Sequence, residues 1–286
     1  MLSYQHGYHA GHFADVHKHV ALCLALQHLT AKPAPFCVLD THAGAGHYDL
    51  TGARAAKTGE WQGGIGRLWD HAVQSAGLSL YLEQVRKANP DGVAHPQVYP
   101  GSPLLALGMA RPGDRVVAME LHPAEHAAAR RAFKGYANAQ LHRRDGFEGV
   151  VALVPPPERR GLVLIDPSYE LKEDYARVPD CAARILARWR DALIMAWFPI
   201  LPEARHEALV DAFAGLATAG REVLLDCLYG PPRPRGMGGS GLVVVNPPWH
   251  FAERLADAGR EAATALFGAS GRHEGRLLGT VTEIEA

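Results

Sequence analysis

Cysteine is scarce and scattered. The chain has 286 residues and four cysteines (Cys23, Cys37, Cys181, Cys227), none of them in a Cys-x-x-Cys pair. Neither a disulfide framework nor a zinc ribbon is expected, and a reducing cytoplasm suits such a chain best. No stretch approaches the run of about 18 apolar residues that a membrane span needs, so none is expected. The opening Met1-Leu2-Ser3-Tyr4-Gln5-His6 has no charged segment followed by an apolar one, the pattern of a secretory leader. Charge of one sign is also missing. The formal net charge is -1, which by itself argues against strong non-specific binding to nucleic acid. Local basic clusters (Arg130, Arg131 and Lys134; Arg143 and Arg144; Arg159 and Arg160; Arg233 and Arg235) soften that argument, although such clusters are commonly solvated faces. If RNA is the substrate, a modest footprint and salt-sensitive binding are expected. Internal repeats and long low-complexity tracts are absent as well.

Apolar residues are plentiful, at 48%, enough for one large domain or one domain with an insertion over residues 1–286. Short apolar runs bounded by turn residues predict strands at 36–39, 115–119, 140–142, 162–165, 192–196, 222–225 and 242–245. The early runs lack polar alternation and so read as parallel strands covered on both faces. Helical patterns fall between them, which implies a doubly wound α/β sheet. Helix starts are expected at Asp15, at Ser102 as a cap before Pro103, at His122-Pro123, at Asp145 with Glu148 in capping-box spacing, and at Glu203. The first two strands are about 75 residues apart, where a crossover helix needs roughly a dozen. Residues 50–100 are therefore expected to hold an inserted helical subdomain. The Pro/Gly-rich stretch Gly230–Gly241 reads as a mobile loop between the last two strands.

Four motifs carry chemistry. Asp40-Thr41-His42-Ala43-Gly44-Ala45-Gly46 directly follows a strand, and its two glycines allow a backbone turn to approach a ligand closely. It is not the dinucleotide fingerprint, which needs a third glycine where Asp49 stands, nor a phosphate-binding P-loop, since no Gly-Lys-Ser/Thr follows. It looks like the cofactor loop of class I methyltransferases, and an ordinary strand-to-helix turn would share its composition. Glu120 ends the second strand, where an acid can accept hydrogen bonds from ribose hydroxyls. A surface glutamate is the plain alternative. Asp145-Gly146 follows the third strand and suits both a helix cap and an edge offered to adenine. The last motif, Asp166-Pro167-Ser168-Tyr169, leaves the apolar run 161–165 and is one residue away from the Asp-Pro-Pro-Tyr signature of amino-methyltransferases. The exocyclic amine of adenine is a poor nucleophile because its lone pair is delocalised into the ring. Acceptors at Asp166 and the Pro167 carbonyl would pyramidalise it, and Tyr169 would stack on the base, worth about 1–3 kcal/mol. A strand-ending Asp-Pro turn is the alternative.

Asn246-Pro247-Pro248-Trp249 fits the amino-methyltransferase pattern more fully. Chain order favours Asp166, because ligands sit outside the carboxyl ends of central strands and Asn246 follows a strand expected near the sheet edge. The N-terminus is rich in histidine (His6, His9, His12, His17, His19), but His17 and His19 cannot share a helix face and no acid or cysteine completes a metal-ligand spacing. No metal is expected. This segment reads instead as one lying over the cofactor pocket, with Tyr4 and one or two histidines reaching in.

Taken together, Met1-Leu-Ser-Tyr-x-His6, His9-Ala-Gly11, Ala14-Asp-Val16, Lys18-His19, Leu39-Asp-Thr-His-Ala-Gly-Ala-Gly46, Tyr99-Pro-Gly-Ser-Pro103, Glu120-Leu-His-Pro123, Asp145-Gly-Phe147, Arg159-Arg-Gly161 and Asn246-Pro-Pro-Trp249 resemble the bacterial 23S ribosomal RNA adenine-N6 methyltransferases that modify adenine 2030. The resemblance spans nearly the whole chain. It implies a Rossmann-like class I fold with a seven-stranded sheet and an inserted helical subdomain, and S-adenosylmethionine as cofactor. It also implies action on protein-free 23S ribosomal RNA without an obligatory protein partner. By match, His19, His42, Ser102, Glu120, Asp145 and Gly146 would line the cofactor pocket with Gly44 and Gly46. Asp166 would border it as the catalytic acceptor, and Tyr4 would lie near the target base. Lys18 matches too, without a role. The departure is Ser168, where the family motif usually has proline. A DNA adenine or a protein glutamine amide as acceptor, and a non-catalytic RNA-binding protein, stay open as rival readings.

Overall fold

The computed structural model describes residues 4–279; Met1, Leu2 and Ser3 of the opening motif lie outside them. In chain order, α1 (Phe13–Thr30) leads into β1 (Cys37–Asp40) and β2 (His47–Asp49). Next come α2 (Ala53–Thr58), α3 (Ile65–Leu68), α4 (Ala76–Lys87), β3 (Val98–Pro100) and α5 (Ser102–Met109). The chain then alternates through β4 (Arg115–Met119), α6 (Pro123–Ala132), β5 (Ala139–His142), α7 (Gly146–Leu153), β6 (Gly161–Ile165) and α8 (Asp174–Arg188). It closes with β7 (Leu193–Ile200), α9 (His206–Ala214), β8 (Val223–Tyr229), β9 (Gly239–Val245), α10 (Phe251–Phe267) and β10 (Arg272–Leu277).

The main sheet has the order β10-β8-β9-β7-β6-β1-β4-β5. Strand β1 pairs in parallel with β4 on one side and β6 on the other, so the chain order reverses there. That reversal opens a crevice at the carboxyl ends of the central strands. Alternate residues feed two cores. Val38, Val116 and Leu162 join α1, α4, α5 and α10 on one face, and Leu39, Val117 and Val163 join α7, α8 and α9 on the other. Burial on both faces explains the unbroken apolar runs of β1, β4 and β6. Helix α1 is buried almost all round from Phe13 to Leu26, so even its polar residues must find partners inside the protein.

The sheet has eight strands, not the seven expected. The additional strand is β10, antiparallel to β8 at the edge, with the sequence RHEGRL and five of its six residues exposed. It has no apolar alternation to announce it. The short antiparallel pair β2–β3 was likewise unmarked. Strand β9 is not near an edge. It lies between β8 and β7, antiparallel to both, and already begins at Gly239, which shortens the expected loop to 230–238. Helix α1 starts at Phe13, two residues before Asp15, because Asp15 accepts the Gly11 N–H from inside the first turn. Ser102 is the first residue of α5 rather than its cap, its hydroxyl being drawn to Asp40, and the cap is Gly101. Helix α9 begins at His206, not Glu203. His122 and Asp145 do cap α6 and α7. Between β1 and β4 the chain carries β2, α2, α3, α4, β3 and α5, and α4 packs on α1 and α10.

Candidate active site

The ends of β1, β4, β5 and β6 border a cleft of about 530 Å³, within the range of small-molecule sites. Three turns build its floor. After β1, Gly44 takes a left-handed φ of 57°, and a Cβ there would lie 2.2 Å from the Tyr48 hydroxyl. Glycine is therefore required by conformation and by space. Glu120 Oε2 accepts the Gly44 N–H at 2.9 Å, and Oε1 accepts that of His122 at 2.6 Å. Glu120 thus braces the turn as well as facing the cleft, and burial pushes its carboxyl above the usual range. Gly46, expected at the cofactor, sits behind the turn beside Pro103 and Phe133, with its carbonyl accepting the Gly101 N–H, and is not on the cleft wall. Thr41 Oγ1 donates to the Leu164 carbonyl, so its bond with His42 Nδ1 takes the ring's hydrogen and leaves His42 Nε2 as an acceptor. Burial pushes the His42 pKa down to about 4, so the ring is neutral.

Asp145 Oδ1 accepts the N–H groups of Phe147 and Glu148, and Oδ2 pairs with Arg177 at 3.0 Å. Burial alone would raise its pKa, and these partners hold it below the usual range. Gly146 packs so tightly on β1 that a Cβ would come within 1.9 Å of the Thr41 carbonyl. Asp40 opens the glycine-turn motif but carried no assigned role, and it lies under the site. Its carboxylate accepts the Ser102 hydroxyl at 2.6 Å and the His42 N–H at 3.2 Å. Burial pushes its pKa up to about 6.

That shift sets a stability expectation. A carboxyl whose folded pKa is raised above about 3.9 stabilises the fold while protonated, and this contribution disappears as pH rises through 6. An Asp40→Asn variant should gain on wild type by about 2 kcal/mol between pH 4 and pH 7. Urea unfolding of both proteins across that range checks it, and a pH-independent difference would refute the assignment.

At the end of β6, Asp166 Oδ2 meets Lys18 Nζ at 2.5 Å, while Lys18 also reaches Asp15 Oδ1 at 3.0 Å. Burial pushes the Lys18 ammonium down, but the two carboxylates outweigh it and hold it above the ordinary lysine value. Asp166 Oδ1 and the Pro167 carbonyl accept no hydrogen bond among the described residues. Tyr169 adopts φ 53° and donates its hydroxyl to the Trp197 carbonyl at 2.6 Å, with its ring against Tyr175 and Trp197. Its phenol is therefore committed, leaving the ring for stacking.

The N-terminal segment lies across this end of the cleft. The Tyr4 hydroxyl hydrogen-bonds with His6 Nδ1 at 2.8 Å, His6 Nε2 with Asp15 Oδ2 at 2.8 Å, and the Tyr4 ring stacks on His9. A continuous polar chain thus runs Tyr4–His6–Asp15–Lys18–Asp166. His17 faces away, to Asp226 at 2.8 Å and Ser240 at 2.9 Å. No three metal-ligating side chains converge among the described residues. Sequence reasoning quoted Asp15 and Asp40 only within motifs, without a role in the site, and left open which of the N-terminal histidines reach in; His6, His9, His12 and His19 lie on the cleft wall. Lys18 was visible only as a motif residue without a role. Asn246, the rival of Asp166, lies at the opposite end of the sheet. Val245 pairs with Ile194 near the start of β7, and Asn246 Nδ2 donates to the carbonyls of Arg190 and Ala192.

The wall residues fit a cofactor with an amino-acid end and a ribose. Glu120 and Asp145 offer carboxylates, and His19 Nε2 is buried on the cleft wall with no partner among the described residues. Comparisons with known proteins agree. A family model described as "RsmJ: Ribosomal RNA large subunit methyltransferase D, RlmJ" matches residues 33–276. The chain belongs to this family. It is the one its motifs resembled, and its members take S-adenosylmethionine. Ribosomal RNA large subunit methyltransferase J of Haemophilus influenzae (strain ATCC 51907 / DSM 11121 / KW20 / Rd) is 40% identical over 260 residues, 90% of this chain and 91% of that one. Its counterpart from Escherichia coli (strain K12) is 38% identical over 258 residues, 89% and 90% of the two chains. A crystal structure of a Legionella pneumophila protein superposes with a TM-score of 0.88 at 31% identity, covering 95% of this chain and 99% of that one. Tyr4, Lys18 and His19 precede the stretch matched by the RlmJ family model, although the geometry ties them to residues within it.

Ser168 departs from the proline usual in the RlmJ family motif. Its N–H makes no hydrogen bond among the described residues, so proline would forfeit none, and its fixed φ would reduce the freedom lost on folding. Ser168→Pro is expected to leave turnover unchanged or raise it. A large loss in steady-state methylation would show that the serine itself is required.

Proposed function

We propose that the protein methylates the exocyclic N6 amine of an adenine in 23S ribosomal RNA, before or without bound ribosomal proteins, in the cytoplasm and with no obligatory protein partner. The carrying observation is the placement of Asp166-Pro-Ser-Tyr169 at the carboxyl end of β6, beside the Gly44 turn of β1. When bound, S-adenosylmethionine supplies an electrophilic methyl group. Asp166 Oδ1 and the Pro167 carbonyl would accept hydrogen bonds from the two amine hydrogens, building the nitrogen lone pair toward that methyl group. Formation of the nitrogen–carbon bond would be matched by cleavage of the sulfur–carbon bond, with S-adenosylhomocysteine leaving and one amine proton passing to solvent. Tyr169 offers its ring to the base. Lys18 Nζ holds Asp166 Oδ2 in place, so the carboxylate is positioned as an acceptor before the reaction. Alignment of nitrogen and methyl carbon supplies much of the remaining acceleration. The base must leave its stack to reach Tyr169, as recognition of unstacked RNA bases favours. Arg233, on the 230–238 loop, reaches the cleft wall and adds positive charge at its mouth.

Isotopically labelled S-adenosylmethionine, protein-free 23S RNA, assembled large subunits and a DNA control, read by nucleoside mass spectrometry, test this reading. N6-methyladenosine in the free RNA alone is expected. Labelled DNA, labelled protein, or cofactor binding with no methylated product would each replace it by another reading.

A further inference from the structure

The elements between β1 and β4 reach the cofactor cleft through two tyrosines that the proposed chemistry does not use. His19 Nδ1 hydrogen-bonds with the Tyr99 hydroxyl at 2.7 Å, and Tyr99 with the Tyr81 hydroxyl at 3.0 Å. All three side chains are buried, Tyr81 and Tyr99 with no exposure at all. The far ring nitrogen, His19 Nε2, has no partner among the described residues and belongs to a residue of the cleft wall.

We infer that Tyr81 and Tyr99 are positioning residues that fix the His19 ring hydrogen on Nε2, making it a donor matched to the carboxylate of the cofactor's amino-acid end rather than to its ammonium. The inference rests on the reading that His19 borders the cofactor.

The order of donors follows from counting. A buried hydroxyl hydrogen needs an acceptor. Among the described residues Tyr81 has one partner, the Tyr99 oxygen, so Tyr81 donates to Tyr99. Tyr99 then has its own hydrogen to give, and its remaining partner is His19 Nδ1. A ring nitrogen that accepts carries no hydrogen, which places it on Nε2. The reverse order, from Nδ1 through Tyr99 to Tyr81, would strand the Tyr81 hydrogen in a dry core, adding an unsatisfied group. Both ring nitrogens could carry hydrogen only if His19 were charged. Burial, reinforced by the neighbouring Lys18 ammonium, holds its pKa well below the ordinary value. The His19 and Tyr99 rings lie nearly parallel, 23° apart with centroids at 5.6 Å, which fixes the direction of Nε2. A donor so fixed attracts a carboxylate and repels an ammonium.

Two measurements on the full chain test this. Nitrogen-15 spectra of histidine-labelled protein without ligand, with the His19 signals identified by their loss in His19→Ala, should show hydrogen on Nε2 and none on Nδ1. In Tyr81→Phe the order is no longer enforced, and a population with hydrogen on Nδ1 should appear. Hydrogen on Nδ1 in the wild type would overturn the inference whatever the ligand does. Calorimetry then compares S-adenosylhomocysteine with analogues lacking its carboxylate or its ammonium. His19→Ala should weaken S-adenosylhomocysteine and the ammonium-free analogue about tenfold or more, as loss of a hydrogen bond to a charged group implies, and leave the carboxylate-free analogue unchanged. Equal weakening of all three, or an unchanged ammonium-free analogue, would overturn the pairing. Failure of the wild type to bind S-adenosylhomocysteine at all would instead remove the cofactor reading beneath it, while the ring spectra still report on the tyrosines.

Discussion

Alanine at position 166 should reduce methyl transfer by about 10²–10³-fold, the usual cost of removing one preorganised polar group aimed at developing charge. The loss should fall on kcat rather than on cofactor affinity, because the Gly44 turn, Glu120 and Asp145 are held by bonds that do not involve Asp166. Lys18 would retain Asp15 as a partner, so the fold should survive. The control is Asn246→Ala. That side chain ties the β9 end to the carbonyls of Arg190 and Ala192, so its loss should lower the unfolding temperature and leave the rate unchanged. Single-turnover methylation of protein-free RNA, run beside thermal unfolding of both variants, separates the effects. An Asn246→Ala protein that folds and is inactive, beside an active Asp166→Ala protein, would move the chemistry to the other end of the sheet.

The two candidate motifs show what the sequence could and could not convey. Asp166 was preferred over Asn246 because it follows a central strand. Chain order alone places Asn246 near an edge, and the topology says otherwise: β9 is interior, and what removes Asn246 from the cleft is the direction of the strand. Strand direction is set by pairing across the sheet, which apolar runs do not encode. The β1, β4 and β6 runs were legible because burial on both faces demands unbroken apolar residues. The exposed β10 was not, since its place depends on a ladder with β8 and on His273 meeting Asp226 at 2.9 Å. Turn residues such as Gly44, Glu120 and Asp145 could be read because their chemistry is local to a strand end. Asp15 and His6 could not, because their task exists only through Lys18 and Tyr4, brought together when α1 is buried and the N-terminal segment crosses the cleft.

Lys18 illustrates the same point with a larger consequence. Lys18→Met should destabilise the protein by about 3–5 kcal/mol, the cost of leaving buried carboxylates without their cation. Methionine keeps much of the apolar stem of this buried side chain, so packing loss is minimised and the effect reports on charge, including the ammonium's place 5.8 Å from the Trp197 ring centroid. The pH dependence identifies the cause. The Lys18 pKa is raised by its partners, so its contribution is present at neutral pH and is lost only as pH rises above the ordinary lysine value. Burial opposes ionisation of Asp15, but His6 and Lys18 outweigh it and depress its pKa, so its contribution is lost as pH falls below about 4. The stability gap between wild type and variant should therefore narrow at both extremes, below about pH 4 and above about pH 10. Methylation should drop with it, because Asp166 loses the partner that holds its Oδ2 in place. Urea unfolding across that pH range, paired with single-turnover rates at pH 7.5, checks both effects. A variant as stable as wild type would mean that the buried carboxylates are compensated by other groups. A stable gap with an undiminished rate would confine Lys18 to holding α1 against β6, leaving Asp166 to act on the amine without it.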